Sequence, residues 1–166
     1  MRARKPDVTV DPEKLFIEAE RHEERGDFKR AFQCFLTAAR LGHTGCQVNL
    51  GNYYAAGKGT RKNMEAAASW YKKAYKHGNC SGALNLGIDR RNEGRIRSAE
   101  IWFRKGVAMN DGDACIALAK LYKDRRDKRE AAIDLLKRVL PMSRADISDD
   151  GKEEAKSLLK EMGMKR

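Results

Sequence analysis

Proline and cysteine are scarce in this chain, and its middle is poor in acidic residues. Three prolines among 166 residues, with 41% apolar and 36% charged side chains, exclude a disordered tail or a collagen-like fibre. A chain of this length can bury about two-thirds of its unfolded surface, so a core needs no staples. The four cysteines, Cys34, Cys46, Cys80 and Cys115, lie far apart without a CxxC pair or a Cys/His cluster. That argues against zinc and against a disulfide framework. No apolar run approaches the roughly 20 residues that cross a bilayer. The opening Met1-Arg-Ala-Arg-Lys-Pro-Asp is basic with no apolar stretch after it, so no secretory signal is expected and the cytoplasm is the expected compartment.

The formal net charge is +11, and it is unevenly placed. Residues 1–30 hold eight basic and eight acidic side chains, whereas residues 31–110 hold thirteen basic ones against Glu65, Asp89, Glu93 and Glu100. A basic middle suits an acidic protein, a nucleic acid or an anionic lipid surface. It suits equally well a solvated face that keeps a small domain soluble.

A repeat underlies the charge. A small residue recurs at Ala31, Ala67, Ala99 and Ala132. Four residues later come Phe35, Tyr71, Phe103 and Leu136, and three after those come Ala38, Ala74, Gly106 and Val139. Small, large and small at i, i+4 and i+7 make one helical stripe, in which the small residue lets a neighbouring helix approach. A second pattern precedes it: Leu50-Gly51, Leu86-Gly87 and Leu118-Ala119. Glycine inside a helix is costly unless another helix crosses tightly over it. Each unit therefore reads as an αα-hairpin that cannot bury its apolar face alone. Asp11-Pro12 opens the first helix with an N-cap acid and a proline at the first helical position. Gly26-Asp27, Gly57-Lys-Gly59, Glu93-Gly94 and Asp124 to Asp127 mark turns within hairpins. After Pro141, a last helix from Asp149 or Asp150 to Met162 puts Ala155, Leu158, Leu159 and Met162 on one face, as a terminal cap requires.

The stretch Leu50-Gly-Asn-Tyr-Tyr-Ala-Ala-Gly-Lys-Gly, continuing through Ala67 to Trp70-Tyr-Lys-Lys-Ala and ending at Gly78, resembles a Sel1-like repeat, a variant of the tetratricopeptide repeat with a longer internal turn. The other units lack the long turn and look more like plain tetratricopeptide repeats. The resemblance covers roughly residues 12–140. It implies an α-solenoid that binds other proteins and carries no catalytic residues. The expected fold is all-α: a right-handed superhelix of about four αα-hairpin repeats plus a C-terminal capping helix. The expected layout is a flexible basic N-terminus over 1–10, a repeat array over 11–140, and a linker with capping helix over 141–166.

His22, His43 and His77 fall in different units with no carboxylate or cysteine recognised at ligand spacing, so no metal, cofactor or catalytic residue is expected. Gly57-Lys-Gly59 reads as a turn, since no strand precedes it and the lysine-serine/threonine of a phosphate loop is missing. Trp70 and Trp102 read as packing residues. In tetratricopeptide-like solenoids the first helices line a concave groove. Their free face here offers Asn52, Tyr53, Ile88, Arg91, Asn92, Lys120 and Lys123 as partner contacts, and arginine and tyrosine supply binding energy most often. Val48, Asp113 and Ala117 stand where the bases of a carboxylate clamp are needed, so capture of a peptide C-terminus is not expected. The function expected is a non-enzymatic adaptor or scaffold taking a peptide or protein in that groove, an acidic partner being one candidate. The alternatives are an immunity-like protein neutralising a toxin and a nucleic-acid binder acting through the basic middle.

Overall fold

The computed structural model describes residues 10–163; the basic stretch before Val10 lies outside the described residues. Among the described residues there are nine α-helices and no strand. They are α1 (Pro12–Glu24), α2 (Phe28–Arg40), α3 (Thr44–Ala56), α4 (Met64–Lys76), α5 (Cys80–Asn92), α6 (Ile96–Ala108), α7 (Gly112–Tyr122), α8 (Arg129–Val139) and α9 (Asp149–Glu161). The all-α, hairpin-repeat expectation is met.

Short polar side chains start most of these helices, because each can accept from an amide that the first turn leaves unpaired. Asp11, Asp27, Asn63, Asn79, Asp111 and Ser148 all do so. His43 does the same for α3, where its Nδ1 accepts from the Cys46 amide at 3.0 Å. With Nδ1 accepting, Nε2 carries the proton and donates to Glu13 Oε2 at 3.1 Å, while the ring stacks on Phe16.

The helices form two compact units, one ending at His77 and the next beginning at Gly78. In the first, α1 pairs with α2, α3 pairs with α4, and α2 packs on α3. In the second, α5 pairs with α6 and α7 with α8, α6 packs on α7, and α9 closes on α8 and α7. The stripe read from the sequence is the core of both. Ala31, Phe35 and Ala38, and Ala99 and Phe103, are wholly buried, as are Ala132 and Val139. Tyr71 and Leu136 are buried to within a few per cent.

The Leu-Gly pairs serve that stripe. Leu50 and Leu86 are fully buried. A Cβ added to Gly51 would stand 2.4 Å from the Tyr71 ring, and one on Gly87 would stand 2.4 Å from the Phe103 ring. The helix loses propensity at these glycines so that an aromatic ring can lie against its backbone. In the fourth hairpin the aromatic is replaced by Leu136, and the small position there is Ala119. A narrower side chain leaves room for a methyl group.

The long turn of the second hairpin is folded back onto the first. Gly57 and Gly59 both adopt positive φ, at 72° and 65°. A Cβ on Gly59 would meet the Phe28 carbonyl oxygen at 2.0 Å. Between them, Lys58 is ion-paired with Glu23 and lays its ammonium over the rings of Phe28 and Tyr53. At the other end of the chain Met142 and Ile147 are buried under α9, and the Gly112 amide donates to the Asp146 carbonyl at 2.8 Å.

Candidate functional site

Five of the seven residues expected to meet a partner fall in the second unit, where α5 touches α7 and α7 touches α9. Ile88, Arg91 and Asn92 end α5, and Lys120 and Lys123 end α7. Ile88 is half-buried against the core cluster and Asn92 is exposed. The two lysines are already engaged: Lys120 Nζ lies 2.5 Å from Glu154 and Lys123 Nζ lies 2.7 Å from Glu161, both carboxylates on α9. Glu161 raises the affinity of the Lys123 ammonium for its proton through that hydrogen bond. Arg91 differs. It is half-buried, and among the described residues its guanidinium has no carboxylate partner.

The remaining two lie in the first unit. Asn52 is exposed and accepts from the Tyr71 hydroxyl through Oδ1 at 2.7 Å. Tyr53 is 3% exposed, edge-on to Phe35 and beneath Lys58. Burial, followed by the neighbouring Glu23 charge, pushes its hydroxyl pKa up. Its ring packs the core, leaving little to offer a partner.

Several charges of the first helices already have partners within their own unit. Glu13 meets His43 and Glu23 meets Lys58, as α9 meets Lys120 and Lys123. The densest charge cluster lies elsewhere, around Glu100 of α6, which helical spacing did not single out. Glu100 Oε1 accepts from Tyr122 at 2.7 Å, Lys128 at 2.8 Å and Arg104 at 3.0 Å. Hydrogen bonds from Lys128 and Tyr122 outweigh burial and lower its pKa to about 2. A signal was present: Glu100 stands where the other hairpins carry Phe32, Ala68 and Ile133. Asp89 has the opposite environment. One of its carboxylate oxygens is buried without a hydrogen bond, and burial, with Glu93 nearby, raises its pKa.

The cysteines divide into two kinds. Cys46 and Cys115 are fully buried, and desolvation pushes the Cys46 thiol up to about 12, with Glu13 and Glu20 adding to it. Such thiols act as small apolar side chains. Cys34 and Cys80 are half-buried. Here the structure corrects the reading that no histidine has ligand-type neighbours. Glu18 and His22 lie one turn apart on α1, and pairing with α2 places Cys34 beside them, with the three donor atoms within 4.8 Å of one another.

An array of αα-hairpins with small residues under aromatic rings defines the class: helical-repeat proteins, whose units bury a face only against neighbours. Residues 23–43 and 45–79 match the Sel1 repeat family model. A 48-residue stretch is 48% identical to the chitin synthase regulator SKT5 of Saccharomyces cerevisiae, covering 29% of this chain and 7% of that protein. Among solved structures, a Sel1 repeat protein from Oxalobacter formigenes superposes with a TM-score of 0.72 over 96% of this chain and 75% of that one, at 17% identity. A second, c5321, is a protective antigen present in uropathogenic Escherichia coli strains displaying an SLR fold. It superposes at 0.67 over 93% of this chain and 38% of that one, also at 17% identity. Identity this low speaks to the fold alone. Sel1 repeats are generally protein-interaction modules and non-enzymatic scaffolds. No helix among the described residues is long and apolar enough to cross a membrane.

Proposed function

We propose that the protein is a non-enzymatic adaptor that binds an acidic segment of a partner protein on the α5–α7 face of its second unit, with Arg91 as the anchor. The observation that carries this is the state of its cations. Lys120 and Lys123 are paired with α9, whereas Arg91, one turn from the apolar Ile88 and beside Asn92, holds a half-buried charge with no carboxylate partner among the described residues. Removing a guanidinium from water is favourable only when an anion meets it, and its planar fork suits a carboxylate. Ile88 supplies adjacent apolar contact, and Asn92 can bond a backbone amide or carbonyl. The general use of Sel1 repeats supports the class of function.

The test is a pull-down from native lysate at low and moderate salt, followed by titration of the captured partner. Arg91→Glu is expected to leave helical circular dichroism and melting temperature unchanged and to weaken binding by more than about tenfold, mainly through a faster off-rate. A partner that binds this variant as tightly as the parent refutes the α5–α7 face. Lys123→Glu is a poor companion mutation, because it would set two carboxylates against each other at Glu161.

A further inference from the structure

We infer that Glu18, His22 and Cys34 form a zinc-type divalent metal site on the first hairpin. The three residues supply one ligand atom each, all within 4.8 Å of one another. Glu18 Oε1 lies 3.7 Å from His22 Nε2, so the imidazole already turns its distal nitrogen toward the carboxylate. Glu18 and His22 sit at i and i+4 on α1, the spacing at which two side chains rise from one face. Cys34 comes from the facing helix, so a bound ion would bridge α1 and α2.

The donor set selects the metal. One thiolate, one imidazole and one carboxylate suit a borderline-soft ion that accepts four ligands without geometric demand, which is the chemistry of Zn²⁺. A thiolate and a carboxylate together neutralise a dication, which matters here because Lys14, Arg21 and Arg25 lie nearby on α1 and would oppose any site of net positive charge. An open depression lined by Glu18 and His22 gives the ion a path in from solvent, and three protein donors leave a fourth position for water.

Binding is coordination without electron transfer. Cys34 gives its thiol proton to solvent and binds as thiolate, His22 binds as the neutral ring through Nε2, and Glu18 binds as the carboxylate. Because the thiolate is the ligand, binding releases the thiol proton and affinity falls as pH falls.

The probe is Co²⁺ added to the full chain, read by absorbance, then displaced by Zn²⁺. The expected result is one equivalent of Co²⁺ with a thiolate-to-cobalt charge-transfer band that Zn²⁺ abolishes. Cys34→Ser should lose the band, Cys80→Ser should keep it, and Glu18→Gln should weaken binding by at least about tenfold. Alkylation mapped by mass spectrometry reads the parent chain directly, without relying on variants that fold: Zn²⁺ should protect Cys34 and leave Cys80 as reactive as before. Absence of the band in the parent, its survival in a folded Cys34→Ser, or equal alkylation of Cys34 with and without Zn²⁺ overturns the site.

Discussion

The two units use one packing register and fill it with different chemistry. In the first the core is aromatic: Phe35 pairs with Phe16 and Tyr53, and Phe32 pairs with Tyr53 and Tyr54, with ring centroids 5.2 to 6.4 Å apart in tilted and edge-on arrangements. A cationic turn closes it, with Lys58 over the rings of Tyr53 and Phe28. In the second, Phe103 shares one aliphatic cluster with Ile116, Leu118, Leu136 and Val139, to which α9 adds Ala155 and Leu159. Its second hairpin is tied to α6 by the Glu100 cluster. The alanine–aromatic stripe sets how closely helices approach; what surrounds it is free to vary as long as the volume is filled.

The largest expected effect tests whether the register is shared. Phe35→Ala and Phe103→Ala each remove a fully buried ring, and each is expected to cost about 3–5 kcal/mol. Thermal melts of both variants check this. A melt within a degree or two of the parent for either would mean that its hairpin does not carry the common register.

The second prediction concerns the charge cluster that only the second unit has. Glu100 titrates at about 2 when folded, below its ordinary 4.5. A lowered folded pKa means that the cluster stabilises fully above the unfolded value and is lost as pH falls from 4.5 toward 2. Glu100→Gln removes the charged acceptor and is expected to cost about 1.5–3 kcal/mol at neutral pH, from bonds made to a charged group. Its melting temperature should then fall less steeply than the parent's over that acid window. Equal slopes for the two proteins would show that the cluster contributes no pH-dependent stability.

The smallest effect belongs to the turn that only the first unit has. Lys58→Met keeps much of the aliphatic stem and removes the ammonium. The loss is expected to be about 1 kcal/mol, the scale of a partly exposed cation–π contact with a surface ion pair. A urea melt of this variant, run beside Lys105→Met in the second unit, sharpens the comparison, since Lys105 lies 3.9 Å over Trp102 without closing a turn. A larger loss at Lys105 would mean that the long turn is not held by Lys58.

The register was legible because it is written locally. Ala31, Ala67, Ala99 and Ala132, each followed by its large residue at i+4, place their side chains by helical period alone. Leu50-Gly51 and Leu86-Gly87 announce that a ring crosses at that point. Asp11, Asp27, Asn63 and Asp111 start helices because the first turn has amides to satisfy wherever the helix sits. These features need only the chain's own geometry. Charge partners need the crossing of helices, which no period states. Lys123 finds Glu161 and Lys120 finds Glu154 through the docking of α9, so two of the expected partner contacts already hold carboxylates of this chain. Glu100 gathers Tyr122 and Lys128 across a hairpin boundary, and Cys34 reaches Glu18 and His22 across the two paired helices of the first hairpin. A side chain's helical face follows from its place in the sequence, but long polar side chains choose among several neighbours within reach, and only the packed helices decide which neighbour is there.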